Sequence, residues 1–227
     1  MTKHHFTGFL IAIEGIDGAG KTTQAHFVQD RLMERKLCVV RTKEPTTGVW
    51  GQQLRDSALT GRLSIEEEVE MFMRDRREHV ETLINPALQE GKIVIVDRYY
   101  FSTMAYQGAR GMDPEDLMRR NEFFAPEPDL LVILDIDPKL GLQRIKTRGD
   151  RANHFENNSN LKKAREIFNS IKKPYLQRLD GTQEPETLRD LIVRQFTVMY
   201  TERIAHSNLT PKAKLNYTLK LFGEDPV

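Results

Sequence analysis

A single cysteine, Cys38, excludes any disulfide within the chain. It lies in the apolar stretch Leu37-Cys38-Val39-Val40, where a buried core thiol is expected rather than a catalytic nucleophile. An excess of one charge is also missing: 34 Lys and Arg face 33 Asp and Glu, a net charge of +1. So balanced a chain has no general electrostatic footprint for nucleic acid or for an anionic membrane, and neither is expected as a partner. No apolar segment of signal-peptide length stands near the N-terminus, and no run reaches the roughly eighteen residues of a membrane span. A soluble, cytoplasmic protein is therefore expected. Repeats and low-complexity tracts are absent too. At 227 residues the chain is long enough for one domain, or one domain with an appendage, that buries a full core without staples.

What the chain does have begins at residue 15. Gly15-Ile16-Asp17-Gly18-Ala19-Gly20-Lys21-Thr22 is a complete G-x-x-x-x-G-K-T, followed by Thr23 and preceded by the apolar run Phe9–Ile13. Each part has a physical task. The glycines let the loop wrap phosphates so that backbone N–H groups converge on their oxygens. Lys21 neutralises β/γ charge, and the Thr22 hydroxyl is available to Mg²⁺. A helix starting here adds the positive end of its dipole. A strand before the motif and a helix after it are the context that a nucleoside triphosphate site requires, and ATP with Mg²⁺ is the expected ligand.

Four apolar runs, at Phe9–Glu14, Leu37–Lys43, Ile93–Asp97 and Leu130–Ile136, read as buried parallel strands with helical patterns between them. The expected fold is α/β: a three-layer P-loop NTPase with a parallel sheet of about five strands and helices on both faces. The longest helical pattern covers 65–90, with Pro86 predicting a kink or a break and Gly91 ending it. Residues 148–163 are polar, Asn-rich and without periodicity, and read as a lid loop. In such sheets ligands bind beyond the carboxyl ends of the strands. Those ends carry Glu14 and the loop, Lys43-Glu44-Pro45, Asp97-Arg98, and Asp135 with Asp137, all expected in one cleft. A strand-end Asp is as often a helix cap, but opposite a phosphate loop Asp97 is expected to serve Mg²⁺.

Arg76 falls on the apolar stripe of the 65–90 pattern, one turn after Phe72 and one before Val80. A charge on a core face is costly unless paired. Either it makes a structural ion pair, with Glu14 or Asp97, or the stripe lines a ligand pocket with Phe72 as a stacking platform and Arg76 as a donor fork. Arg74 and Arg77 fall elsewhere on the helical wheel and are expected to be solvated.

From about Phe9 to Ile192 the chain resembles the thymidylate kinase family. The motifs that carry the resemblance are Ile13–Gln24, Thr42-Lys-Glu-Pro45, Met71-Phe72 leading to Arg76 and His79-Val-Glu81, Asn85–Leu88, Asp97-Arg-Tyr99 and Ser102–Gly108. The resemblance implies phosphoryl transfer from ATP-Mg²⁺ to dTMP. It places Asp17 beside the sugar and phosphate of the monophosphate and Phe72 against thymine. Arg76 and Gln107 then meet the base edge with Thr103 nearby, and Tyr106 lies where a ribose 2′-hydroxyl would project. Arg98 holds the acceptor phosphate together with a basic residue before Glu-Pro, which here is Lys43 where the family has arginine. Lysine keeps the charge and loses the bidentate fork. Arg144 resembles the family arginine that packs on adenine, and a homodimer is implied.

Gly18 occupies a loop position where some members carry an arginine. The transition-state cation must then come from the lid, where Arg148 and Arg151 are the candidates, while His154 stands where an arginine is common. Rival readings are another P-loop nucleoside monophosphate or deoxynucleoside kinase, or an ATP-dependent switch without a second substrate. The family domain is expected to cover 1–200. Residues 201–227 form an extension in which Leu215, Tyr217, Leu219, Leu221 and Phe222 could pack back on the body.

Overall fold

The computed structural model of the chain describes residues 8–60, 63–147 and 158–224. Its sheet has five parallel strands: β1 (Phe9–Glu14), β2 (Val39–Lys43), β3 (Ile93–Asp97), β4 (Leu130–Asp135) and β5 (Leu176–Asp180), in the order β2-β3-β1-β4-β5. Helices lie on both faces and complete three layers. Every residue of β1 and β3 is buried, as is β4 up to Asp135. Strands covered on both faces need side chains that are apolar throughout, which is why these three read as continuous runs. The edge strand β5, Leu-Gln-Arg-Leu-Asp, is only partly covered and alternates too weakly to stand out in the sequence. β2 starts two residues later than the apolar run suggested. Cys38, just before it, is exposed rather than buried. Successive residues of an extended segment face opposite ways, and Leu37 takes the inward one.

Ten helices connect and follow the strands among the described residues: α1 (Lys21–Glu34), α2 (Val49–Thr60), α3 (Ile65–His79), α4 (Asn85–Gln89), α5 (Tyr100–Gly108), α6 (Pro114–Glu122), α7 (Pro138–Thr147), α8 (Asn158–Ser170), α9 (Pro185–His206) and α10 (Pro211–Leu221). The long 65–90 pattern is interrupted by a π-helical turn at Val80–Ile84, and Pro86 follows directly in the first turn of α4. α3 opens on a complete capping box between Ser64 and Glu67.

Two further boundaries differ from expectation. Residues 158–163 belong to α8 rather than to a loop, because Leu161, Ala164 and Phe168 form a buried stripe at helical spacing. α9 runs on to His206, and α10 then returns against it. In α10 Leu221 is fully buried and Tyr217 packs on the core, while Leu215 and, just after the helix, Phe222 stay exposed. Arg35, just after α1, ties the end of α10 down with a hydrogen bond to the Leu221 carbonyl at 3.1 Å.

Candidate active site

The sheet order sets β1 between β3 and β4, and the β1–β3 register pairs Ile13 with Asp97. The loop 15–20 therefore leaves the sheet beside the end of β3. At the start of α1, Gly20 is left-handed (φ 95°), no side chain among the described residues caps the helix, and its first turn carries no acid. The N–H groups that a cap would satisfy are left for an anion. Lys21 is buried, and its Nζ donates to the Ile16 carbonyl at 2.8 Å. Burial, helped by Arg98 nearby, pushes its ammonium down to about 8, against the pull of Asp17, Asp97 and Glu14. Thr22 Oγ1 donates to Asp97 Oδ2 at 2.5 Å. Asp97 Oδ1 is buried and has no hydrogen-bond partner among the described residues.

The turn after β3 is built around Glu14. Its Oε1 accepts from the Tyr99 and Ser102 backbone N–H groups at 2.7 and 3.0 Å, and Oε2 accepts from the Ser102 hydroxyl at 2.6 Å. The end of β1 thus caps α5 from outside. Burial pushes the Glu14 carboxyl up to about 7, against the pull of these hydrogen bonds. Arg98, inside this turn, is left-handed at φ 67°, a conformation that bulky residues seldom hold without a functional reason. Its guanidinium pairs with Asp17 of the loop, and Tyr106 donates to the other Asp17 oxygen at 2.9 Å. Burial works against ionisation of Asp17, but Arg98 and Lys21 outweigh it and hold the carboxyl below its usual range.

A cavity of about 230 Å³ opens beside this cluster. Asp17, Phe72, Arg76, Arg98, Tyr106 and Gln107 line it, with Thr103 also in its wall. α3 contributes Phe72 and Arg76, four residues apart on one face, while α5 contributes Thr103, Tyr106 and Gln107. The ion-pair partner of Arg76 is Glu44, not Glu14 or Asp97: its Nε and Nη2 lie 2.8 and 2.6 Å from Glu44 Oε2. Nη1 donates to Asn121 at 2.5 Å and Nη2 to Thr103 at 3.1 Å. Arg76 is both pair and pocket wall, and most of its fork is spent inside the protein. Glu44 also meets His79 Nδ1 at 3.1 Å, while His79 Nε2 lies 2.8 Å from Thr42 Oγ1. Arg74, over Trp50, and Arg77, over Phe124, are exposed as expected.

A second cleft, of about 500 Å³, lies on the other side of the loop, lined by Gly18, Ala19, Gly20, Thr23, Arg144 and the segment 181–185. Arg144 Nη1 donates to the Gly181 carbonyl at 3.1 Å and to that of Gly18 at 3.4 Å. A loop carrying a phosphate-binding motif between two clefts has the layout of a two-substrate phosphotransferase.

The thymidylate kinase family model matches residues 13–192. The thymidylate kinase of Xanthomonas campestris pv. campestris (strain B100) is 52% identical over 181 residues, covering 80% of this chain and 79% of that protein. That of Akkermansia muciniphila is 48% identical over 197 residues, covering 87% of this chain and 95% of the relative. The chain belongs to the thymidylate kinase family.

Set against the thymidylate kinase pattern, Lys43 is the residue that does not join the others. It ends β2, is exposed, and is not part of the cavity wall, whereas Glu44, Pro45 and Arg55 are. Arg55 gives no signal in the sequence beyond that of a basic residue on a short amphipathic helix. It bridges back to the Pro45 and Thr46 carbonyls at 3.1 and 2.6 Å. Asp135 and Asp137 stand apart from the cavity as well. Asp135 forms a two-pronged pair with Arg165 of α8, at 2.6 and 2.9 Å, and Asp137 lies 3.8 Å from the same arginine. Arg148, Arg151 and His154 lie outside the described residues.

Proposed function

We propose that this member of the thymidylate kinase family transfers the γ-phosphoryl group of ATP to dTMP, giving dTDP and ADP, across the loop that separates the two clefts. The observation that supports dTMP most directly is Gln107. It lines the smaller cavity, and its Oε1 is buried and without a partner among the described residues, an acceptor that the N3–H of thymine would satisfy. Cytosine presents an acceptor at that position and would leave two acceptors face to face.

The assignments follow from placement. Phe72 stacks on the base. Arg76 meets its edge with what its internal bonds leave of the fork, and Thr103 stands close by. Tyr106 and Asp17 face the sugar. Arg98 holds the acceptor phosphate, with Lys43 adding charge from the end of β2 and Arg55 from the middle of α2. ATP lies along Gly15, Ile16, Gly18, Ala19, Gly20, Thr22 and Thr23, with its adenine toward Arg144. The acceptor phosphate is a nucleophile near neutral pH, so no general base is needed. The chain's task is positioning and charge neutralisation by Lys21, Arg98 and a lid arginine, Arg148 or Arg151. Lys21 exchanges the Ile16 carbonyl for phosphate oxygens, whose negative charge favours its ammonium form.

Thr22 and the unpartnered Asp97 Oδ1 fit a Mg²⁺ ion that shares its shell with phosphates. Among the described residues no group of three or more His, Cys, Asp or Glu could hold a metal alone, in keeping with an ion that arrives with its nucleotide. Bound there, Mg²⁺ would neutralise charge on the β- and γ-phosphoryl oxygens. The kinase domain, placed at residues 1–200 by the sequence, includes the whole of α9 to His206, and the residues after it form an extension; the protein works in the cytoplasm as a homodimer.

The test is a coupled ADP-release assay across monophosphate acceptors. dTMP is expected to give the highest kcat/KM and dUMP a lower one, since one methyl group is worth about 10–200-fold. dCMP and the purine monophosphates are expected to fall about 10⁴-fold below dTMP. Turnover of dCMP equal to that of dTMP would defeat the pocket assignment, and a flat response to dTMP would favour a switch.

A further inference from the structure

α3 and α5 run past one another with two polar rungs between them. Arg76 meets Thr103 at one end and Glu68 meets Gln107 at the other, and Phe72 stands between the rungs. Glu68, Phe72 and Arg76 are spaced four apart on one face of α3. Glu68 is buried and lies outside the cavity wall, so it touches no substrate. Its Oε2 accepts from Gln107 Nε2 at 3.1 Å and is also paired with Arg110, one turn further along the chain.

A carboxylate in an ion pair only accepts hydrogen bonds, whereas a carboxamide has one accepting end and one donating end. Gln107 must therefore turn its NH₂ toward Glu68, and its carbonyl oxygen is left on the side away from it. That oxygen is the buried Oε1 without a partner among the described residues. The reversed amide would set Gln107 Oε1 against the Glu68 carboxylate, acceptor against acceptor, in a site that excludes water.

We propose that Glu68 is a specificity-determining positioning residue: by locking the Gln107 amide, it makes the pocket accept a pyrimidine that carries a hydrogen on N3 and reject one that does not. The inference rests on the assignment of the cavity to a thymine monophosphate. Replacing the carboxylate with a carboxamide removes the lock, because the new side chain could offer either of its ends to Gln107.

The experiment measures kcat/KM for dTMP and for dCMP in the wild type, E68Q and E68D, and reads their ratio. A fold-wide defect lowers both constants and cancels in that ratio. E68D keeps the charge for Arg110 but withdraws it from Gln107 by one methylene, and it carries the test alone if E68Q does not fold by circular dichroism. The ratio is expected to fall at least about tenfold in E68Q and in the same direction in E68D, with part of the change a gain in dCMP turnover. A ratio within twofold of wild type in the folded variants overturns the role of Glu68 and leaves the thymine pocket standing. A wild type without preference for dTMP overturns the pocket assignment itself.

Discussion

Gly18 and Gly141 meet backbone to backbone. A Cβ on Gly18 would lie 2.4 Å from the Gly141 carbonyl oxygen, and one on Gly141 would lie 2.4 Å from that of Asp17. The phosphate loop and α7 are in contact with no side chain between them. The loop position where an arginine is found in some thymidylate kinases is thus closed here by packing as well as by residue choice, and φ at Gly18 is +81°.

Gly18→Ala is expected to cost about 2 kcal/mol or more in stability and to lower kcat at least about tenfold, because backbone atoms must move to admit the methyl group. Gly18→Arg should not supply a working loop arginine. Thermal unfolding with ADP-release kinetics on both variants checks this. An alanine variant with wild-type melting and turnover would show that the contact has slack.

Phe72 should act on dTMP and not on ATP. Stacking of a base on an aromatic ring is worth about 1–3 kcal/mol, so Phe72→Ala should lower kcat/KM for dTMP about 10–100-fold while leaving the KM for ATP within about twofold. Equal effects on the two substrates would mean that Phe72 only supports the fold of α3.

With no arginine on the loop, one lid arginine should carry most of the transition-state charge. Arg148→Ala and Arg151→Ala are to be compared by single-turnover kinetics, and at least one is expected to lower the chemical step about 10³-fold. If neither alone nor both together slows it, the cation has another source.

Glu14 predicts a pH dependence of stability. Its carboxyl ionises near 4.5 in the unfolded chain and near 7 in the folded protein. The folded form holds this proton more tightly, so its stabilising contribution is complete below about 4.5 and is lost as pH rises to about 7. Glu14→Gln has no such proton to lose. The melting temperature of the variant minus that of wild type should therefore rise between pH 4.5 and 7 and level off above. A difference that stays constant across this window would show that Glu14 is ionised in the fold.

Some of the site could be read before any coordinate. Lys21, Thr22 and Asp97 are close to a local matter: a loop between strand and helix and an apolar run ending in a carboxylate. Phe72 and Arg76 announced themselves by position on an otherwise apolar stripe. The partner of Arg76 could not be read in this way, since Glu14, Glu44 and Asp97 all end strands or follow them. Only the packing of α3 over the end of β2 selects Glu44. Glu68 was hidden more completely, as one of three glutamates in the first turn of α3, where acidic residues suit the helix dipole whatever else they do.

The order of apolar runs, the phosphate loop and the motif spacing are properties of neighbouring residues, and the chain carries them wherever it is written down. They suffice for the α/β fold, the triphosphate loop and membership of the family. Distances between residues far apart in sequence depend on how helices seat on the sheet, and there the reading stops. That seating turned Cys38 outward and left Lys43 off the cavity wall in favour of Arg55. It also closed Gly18 against Gly141 and set Glu68 behind Gln107, because a side chain's neighbours across an interface are chosen by packing and not by its place in the chain.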